Sequence, residues 1–264
     1  MYIISVANQK GGVGKTTSVL NIGAGLAKVG KKVLLMDLDP QNHLSRWLKH
    51  NPNDGKPTVS EMIYQEVSGI RNYDLSQFIR THPTEDVDFI PANHMLSGLL
   101  SILGTDRDSQ NVLNRILHQE FFLQYDYIVL DCQPSLDLLV ANALKSSDQL
   151  MIPVQADLLA YEGTDDMLAT FQKIKQLPLI SKSQVRMLLT MYQKNTKMSN
   201  SVWEALKKSY GNMVFETPIS FRAEAKNSTA TRNSLVNLNS SGVGQQYMEV
   251  VKEILVDSEK GAWK

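Results

Sequence analysis

Near the N-terminus, Asn8-Gln-Lys-Gly-Gly-Val-Gly-Lys-Thr-Thr17 brings together the residue types that hold phosphate. Gly11, Gly12 and Gly14, with Val13 between them, let the backbone turn tightly enough for its amide hydrogens to converge on phosphate oxygens. A helix beginning at once behind the loop adds the partial positive charge of its N-terminus. Lys15 supplies a point charge to the β and γ phosphates, the Thr16 hydroxyl suits a magnesium ion, and Thr17 completes the loop. The context agrees, since apolar Ile3 to Ala7 precedes the loop and Val19, Leu20, Ile22 and Leu26 follow it at helical spacing. Lys10 replaces the glycine usual at the start of such a loop. A lysine there lies at the mouth, with a stem long enough to carry its ammonium into a neighbouring subunit's phosphates.

Carboxylates complete the set. The apolar run ending at Met36 continues as Asp37-Leu-Asp-Pro-Gln41, so two carboxylates fall at the C-terminal edge of a buried strand, where open α/β sheets bind ligands. Asp37 and Asp39 lie on the same side by alternation. One is suited to orient an attacking water, the other to hold the magnesium shell or the loop. Tyr127-Ile-Val-Leu-Asp131 is a second apolar strand ending in an acid, placed to accept a magnesium-bound water. Phosphoryl transfer to water needs positioning and charge neutralisation more than covalent chemistry, and these groups supply both. Cys132, the single cysteine, reads as a small packed residue, and the five histidines, without metal-ligand spacing, read as surface residues.

The elements that must position these groups alternate along the chain. Strands are expected at 3–7, 33–36, 87–90, 127–130, 150–154 and 185–191, with a weaker one at 213–215. Helices are expected at 16–29, 60–67, 95–103, 110–122, 136–146, 162–175, 199–210 and 245–256. Segments 51–58 and 104–109 read as surface loops. The pattern predicts an α/β fold, a doubly wound and mostly parallel sheet flanked by helices. The 264 residues suit a single domain over 1–264. One cysteine excludes an intrachain disulfide framework and a Cys cluster within one subunit, and fits a reducing cytosol. The short apolar start, without a basic leader, reads as a strand rather than a signal peptide.

With these residues in view, Lys10-Gly-Gly-Val-Gly-Lys-Thr-Thr17 resembles the deviant Walker A motif of the ParA/MinD family of P-loop ATPases. The resemblance implies an ATPase with ATP and Mg2+ as cofactors, and implies that Lys10 reaches across an ATP-sandwiched homodimer to the partner's nucleotide. Asp37-Leu-Asp-Pro-Gln41 is similar to the family's second motif, which implies that Asp39 positions the hydrolytic water. Lys10, Lys15 and Asp39 are thus the expected catalytic set, and Thr16, Asp37 and Asp131 the expected metal set. The family's usual Asp-Cys-Pro-Pro-Ser appears here as Asp131-Cys-Gln-Pro-Ser135, Gln133 being a departure. Further similar segments are Thr58 to Ile63, Phe89 to Asn93 and Ile152 to Ala156. Glu216 to Ala225 resembles the segment that places Pro218 and Ile219 along the adenine. Lys194, Lys197, Arg222 and Lys226 are the candidate DNA contacts.

Within the family, one cysteine excludes the iron-protein branch, which shares a cluster between subunits. A MinD-like membrane ATPase would end in a basic amphipathic helix. Residues 245–264 are amphipathic but lean acidic, which predicts a helix docked on the core and no stable membrane anchor. The chain starts at its first strand, leaving no room for an N-terminal helix-turn-helix. The resemblance is therefore closest to short, Soj-like ParA proteins. It implies a cytoplasmic, nucleoid-associated DNA-partition ATPase whose ATP-bound dimer binds nonspecific double-stranded DNA, with hydrolysis stimulated by a ParB-like centromere-binding protein. The alternative is a MinD-like or flagellar-placement ATPase acting at a membrane or pole.

Charge patterning bears on that choice. The chain has 27 basic and 27 acidic residues, yet residues 172–232 hold eleven Lys and Arg against three Glu, which leaves +8 there and −8 elsewhere. Such a separation permits one face to bind DNA by counterion release.

Overall fold

Runs of Val, Ile and Leu without polar interruptions are strands covered on both faces. The computed structural model, described for residues 1–70, 73–157, 163–225, 232–238 and 240–261, has them so. The strands are β1 (Tyr2–Val6), β2 (Val33–Leu38), β3 (Arg80–His82), β4 (Val87–Ile90), β5 (Tyr127–Cys132), β6 (Gln149–Gln155) and β7 (Val185–Thr190). They form one sheet in the order β3-β4-β2-β5-β1-β6-β7, parallel throughout except for β3, which pairs antiparallel with β4 at the edge. Every residue of β2, β5 and β7 is buried.

Helices cover both faces. On one lie α1 (Lys15–Lys28), α2 (His43–Trp47) and α9 (Gly242–Gly261), whose Val19, Leu26, Leu44, Val250 and Ile254 meet Ile4, Leu35 and Val129 of the sheet. On the other lie α3 (Val59–Val67), α4 (Leu99–Leu103), α5 (Val112–Leu117), α6 (Leu138–Ser146), α7 (Thr164–Lys175) and α8 (Lys197–Tyr210), built around Ile63, Ile116, Leu144, Phe171 and Leu206. The chain reverses its winding about the central β1, so the C-terminal ends of β1, β2 and β5 border one crevice.

Several local expectations change. Residues 213–215 are not a strand: Gly211–Met213 is a 3-10 turn, and only an isolated bridge joins Val214 to Met187. The helix expected at 95–103 divides into a 3-10 turn, His94–Gly98, and α4, and that at 110–122 into α5 and the 3-10 turn Glu120–Gln124. Residue 162, the expected start of the helix at 162–175, lies outside the described residues, and α7 begins at Thr164. His82 is buried rather than at the surface and His50 is half-buried, whereas His43, His94 and His118 are exposed. Cys132 is packed as expected, with burial pushing its thiol well up.

The C-terminal helix is docked on the core as its acidic lean predicts. Val243, Tyr247, Val250, Val251 and Ile254 of α9 are buried, and the Tyr247 hydroxyl lies 3.1 Å from the Ser18 hydroxyl of α1. On β7 the wholly buried Arg186 bonds Glu253 and Asp257 of the same helix. Among the described residues no helix is long and apolar enough to cross a membrane.

Candidate nucleotide site

The loop after β1 folds as its glycines require. Gly12 and Gly14 have φ of 75° and 87°, the left-handed region that side chains disfavour. Asn8 pins the loop from below: its amide donates to the Pro153 carbonyl at 2.8 Å and its Oδ1 accepts from the Lys10 amide at 2.9 Å. At the far side the Thr190 hydroxyl, at the end of β7, donates to the Val13 carbonyl at 2.9 Å. Neither Asn8 nor Thr190 was singled out from sequence, because their roles depend on strands more than a hundred residues away.

Three other helix starts are closed by side chains, whereas those of α2, α4, α5 and α7 are not: Thr58 and Glu61 form a capping box on α3, Asp137 accepts from the amides of Leu139 and Val140 on α6, and Thr196 caps α8. The first turn of α1 has Gly14 in the capping position, no side-chain cap and no acid. Its free amides are left for an anion. The Lys15 ammonium bends back over the loop to the carbonyls of Asn8 and Lys10, each at 3.1 Å, and burial holds its pKa below the usual lysine range.

The acids converge behind it. Asp37 and Asp131 are register partners on β2 and β5, and both are about 1% exposed. The Thr16 hydroxyl donates to Asp131 Oδ2 at 2.7 Å, while Asp131 Oδ1 is buried without a hydrogen-bond partner among the described residues. Burial, then the neighbouring Asp37 charge, push the Asp131 carboxyl well above the carboxylate range. Asp37 is raised to about 6, chiefly by burial. Both Asp37 oxygens are engaged, Oδ2 by the amide and hydroxyl of Ser45 at 2.8 and 2.6 Å, Oδ1 by the Asp39 amide at 3.1 Å. Asp39 is half-buried at the cavity wall, with Oδ1 on the Gln41 amide at 2.8 Å. A divalent cation fits here: an orphaned buried carboxylate oxygen beside a hydroxyl is the donor set that magnesium takes together with substrate phosphates.

In front of these groups a cavity of about 780 Å3 is lined by Gly11, Gly12, Gly14, Lys15, Thr16, Thr17, Asp39 and Pro134, and by one face of α2. A second cavity of about 190 Å3 shares Gly14, Thr17 and Met191 with the first, and is mostly apolar, with Ile219, Phe221, Val243 and Tyr247 on its walls beside Thr190, Ser220 and Arg222. A charged end and an apolar end are what a nucleoside triphosphate presents. Ile219 lines the apolar end, and Pro218 is not among its walls. Met191, which lines both, holds φ at 54°, a conformation uncommon outside glycine and found at constrained sites.

Lys10 stands at the mouth, but its ammonium is folded onto Asp157 of the same chain at 2.7 Å, both side chains about 30% exposed. The expected basic face is thinner than the sequence count. Arg186 is buried in its ion pairs, Lys175 donates to the Lys145 carbonyl at 2.8 Å, and Lys207 pairs with Glu216. Lys194 and Lys197 are exposed at the start of α8. Arg222 is exposed but also lines the apolar cavity, its guanidinium against Gly242, and Lys226 lies outside the described residues. Gln133, where the family pattern has proline, bonds Asp137, which also accepts from Ser135 at 2.8 Å.

Known proteins are similar to this chain. The AAA domain family matches residues 1–187. The sporulation initiation inhibitor protein Soj of Bacillus subtilis (strain 168) is 33% identical over 253 residues, 96% of this chain and 97% of Soj. The chromosome-partitioning ATPase Soj of Treponema pallidum (strain Nichols) is 35% identical over 212 residues, 80% of each chain. Among solved structures, a putative plasmid partition protein from Borrelia burgdorferi B31 bound to AMPPNP superposes with a TM-score of 0.76 at 27% identity, covering 98% of both chains. Cobyrinic acid a,c-diamide synthase from Mycobacterium smegmatis, with bound ADP and magnesium, gives 0.81 at 29% identity, covering 99% of this chain and 96% of that one.

Proposed function

The chain belongs to the Soj/ParA family of P-loop ATPases, and from that premise we propose that it is a DNA-partition ATPase whose nucleotide state governs its hold on DNA. It is an ATP-hydrolysing enzyme with ATP and Mg2+ as cofactors. The observation that carries the reading is the loop from Lys10 to Thr17, set on the uncapped start of α1 and backed by the in-register acids Asp37 and Asp131.

In this reading residues 1–264 act as one ATPase unit. The amides of Gly11 to Thr17 and the Lys15 ammonium bind the phosphates, and the apolar cavity with Ile219 takes the adenine. Thr16 and Asp131 would hold magnesium, which neutralises phosphate charge when bound. Asp37 holds the β2 end in shape through Ser45, and Asp39, whose Oδ2 has no such tie among the described residues, orients the attacking water. Because hydrolysis of this kind rests on positioning, no side chain needs to act as a strong base. Lys10 leaves Asp157 when two ATP-loaded subunits meet, and crosses to the partner's phosphates. The closed pair then presents Lys194, Lys197 and neighbouring basic groups to duplex DNA without base reading. A ParB-like protein at the centromere speeds hydrolysis and release. Nucleoid association follows from this cycle.

Binding of random duplex DNA to the purified protein tests the reading. It should require ATP and magnesium and be lost in Lys15→Ala. Equal retention without nucleotide would sink the switch.

A further inference from the structure

The five residues of α2 are not part of the phosphate loop, yet they make one wall of the same cavity. His43, Arg46 and Trp47, three and four positions apart, share a helix face, and all three line the cavity that holds Gly11 to Thr17. The opposite side of the helix fixes it in place. Leu44 and Leu48 are buried in the core, and Ser45 donates its amide and hydroxyl to Asp37 while its hydroxyl accepts from the Ala92 amide at 2.9 Å. The cavity face of α2 is therefore held on the end of β2, directly after the acids.

On that face Arg46 is a cation held at one corner. Its Nη2 donates to the Gln41 carbonyl at 3.1 Å, and Gln41 in turn gives its amide to Asp39. Among the described residues the guanidinium has no carboxylate partner, so most of its donors and its whole charge remain unspent. Its position along the cavity is also defined. The apolar, adenine-suited end is marked by Ile219, Phe221 and Tyr247, and Arg46 is absent from that end. It lines instead the cavity that holds Lys15, tied through Gln41 to the neighbourhood of Asp39; charge accumulates on the terminal phosphoryl group at such a site.

We propose that Arg46 is a specificity-determining residue of the ATP site, a planar donor that engages the terminal phosphate and favours the triphosphate over the diphosphate. The proposal rests on reading this cavity as the ATP site. An arginine suits the task because its fork makes two parallel bonds to phosphate oxygens, and its charge is never lost by deprotonation. ADP has no group at that corner, so the contact is made with one nucleotide and not the other. A ligand that distinguishes two states in this way can drive a switch, whereas one bound equally in both cannot.

The test is equilibrium titration, in magnesium, of the full chain with a fluorescent non-hydrolysable ATP analogue and with the matching ADP, comparing unchanged protein, Arg46→Ala, Arg46→Lys and Lys15→Ala. Arg46→Ala should weaken the triphosphate analogue about ten-fold, which corresponds to about 1.4 kcal/mol, and leave ADP within about two-fold. Arg46→Lys should recover part of the loss, since the charge returns without the fork. Retained ADP binding shows that Arg46→Ala is folded. Equal weakening of both nucleotides, or of neither, overturns the proposal. If the unchanged protein binds neither nucleotide, or Lys15→Ala binds as well as it does, the reading of the cavity itself has failed instead.

Discussion

Asp257→Asn should destabilise the protein by about 3 kcal/mol although Asp257 lines neither cavity. Arg186 is 0% exposed on β7, with Nη1 on Asp257 Oδ2 at 2.5 Å, Nη2 on Glu253, and the guanidinium carbon 4.0 Å from the centre of the Phe215 ring. Among the described residues its Nε has no hydrogen-bond partner. Removing one partner from a buried pair costs about 3–5 kcal/mol, because a charge stays behind without compensation. Glu253 remains, and at 22% exposure it is partly solvated, so the lower figure applies. For a chain slightly longer than 250 residues, where each kcal/mol moves Tm by about 2–4 °C, the melting point should fall by roughly 6–12 °C. The measurement is a calorimetric melt in EDTA without nucleotide, so that ligand binding does not mask the loss. The companion variant sharpens it. Arg186→Met with Glu253→Gln and Asp257→Leu removes all three charges together, and should be neutral or more stable, since an apolar replacement of a buried ion cluster avoids the desolvation cost. A single variant melting within about 2 °C of the unchanged protein, or a triple variant losing as much as the single one, would show that the cluster is not what fastens α9 to the sheet.

Two further outcomes follow from the site. Burial raises Asp37 to about 6 from 3.8, so its proton is held more tightly folded than unfolded; the stability this contributes is full below about pH 4 and is lost as pH rises through 6. Relative to unchanged protein, Asp37→Asn should therefore gain stability between pH 4 and pH 7.5 in urea unfolding with EDTA, on top of a constant offset for altered bonds to Ser45; parallel pH profiles would refute it. The Lys10–Asp157 pair is about 30% exposed on both sides and so contributes about 0.2–1 kcal/mol. Asp157→Asn should leave the melting point nearly unchanged and tighten ATP-dependent dimerisation about two- to five-fold by sedimentation, because the hold on Lys10 is gone; a weaker dimer would count against a crossing lysine.

Much of this was legible beforehand because the decisive signals are local. A glycine-rich loop between an apolar strand and a helix, and acids at the ends of β2 and β5, are written in consecutive residues. What escaped is set by partners distant in sequence. Arg-Thr-His at 80–82 has no strand-like composition and is a strand only because β4 pairs with it. The helix α2 is five residues without a side-chain cap, too short for its spacing to stand out, and Asp37 anchors it. Arg186 counts as a surface charge in any tally by segment, since its acids lie 67 and 71 positions later. The 213–215 run has the right composition, but only Val214 reaches a bridge with β7.

The loss of Arg186, Lys175 and Lys207 from the free basic surface bears on how the proposed DNA binding would work. For duplex DNA the logarithm of affinity falls with the logarithm of salt by about 0.9 for each phosphate neutralised. On the proposed reading, a subunit offering a few exposed cations, with Lys194 and Lys197 among them, would bind weakly at physiological salt. Two subunits held face to face double the number of contacts, and since each contact multiplies affinity, doubling them raises it as a power rather than by a factor of two. A sparse face is thus better suited to a switch than a dense one, which would hold DNA as a monomer and ignore the nucleotide. On the proposed cycle, the same arithmetic would make dimerisation, and with it the γ-phosphate, the step through which ATP controls residence on DNA.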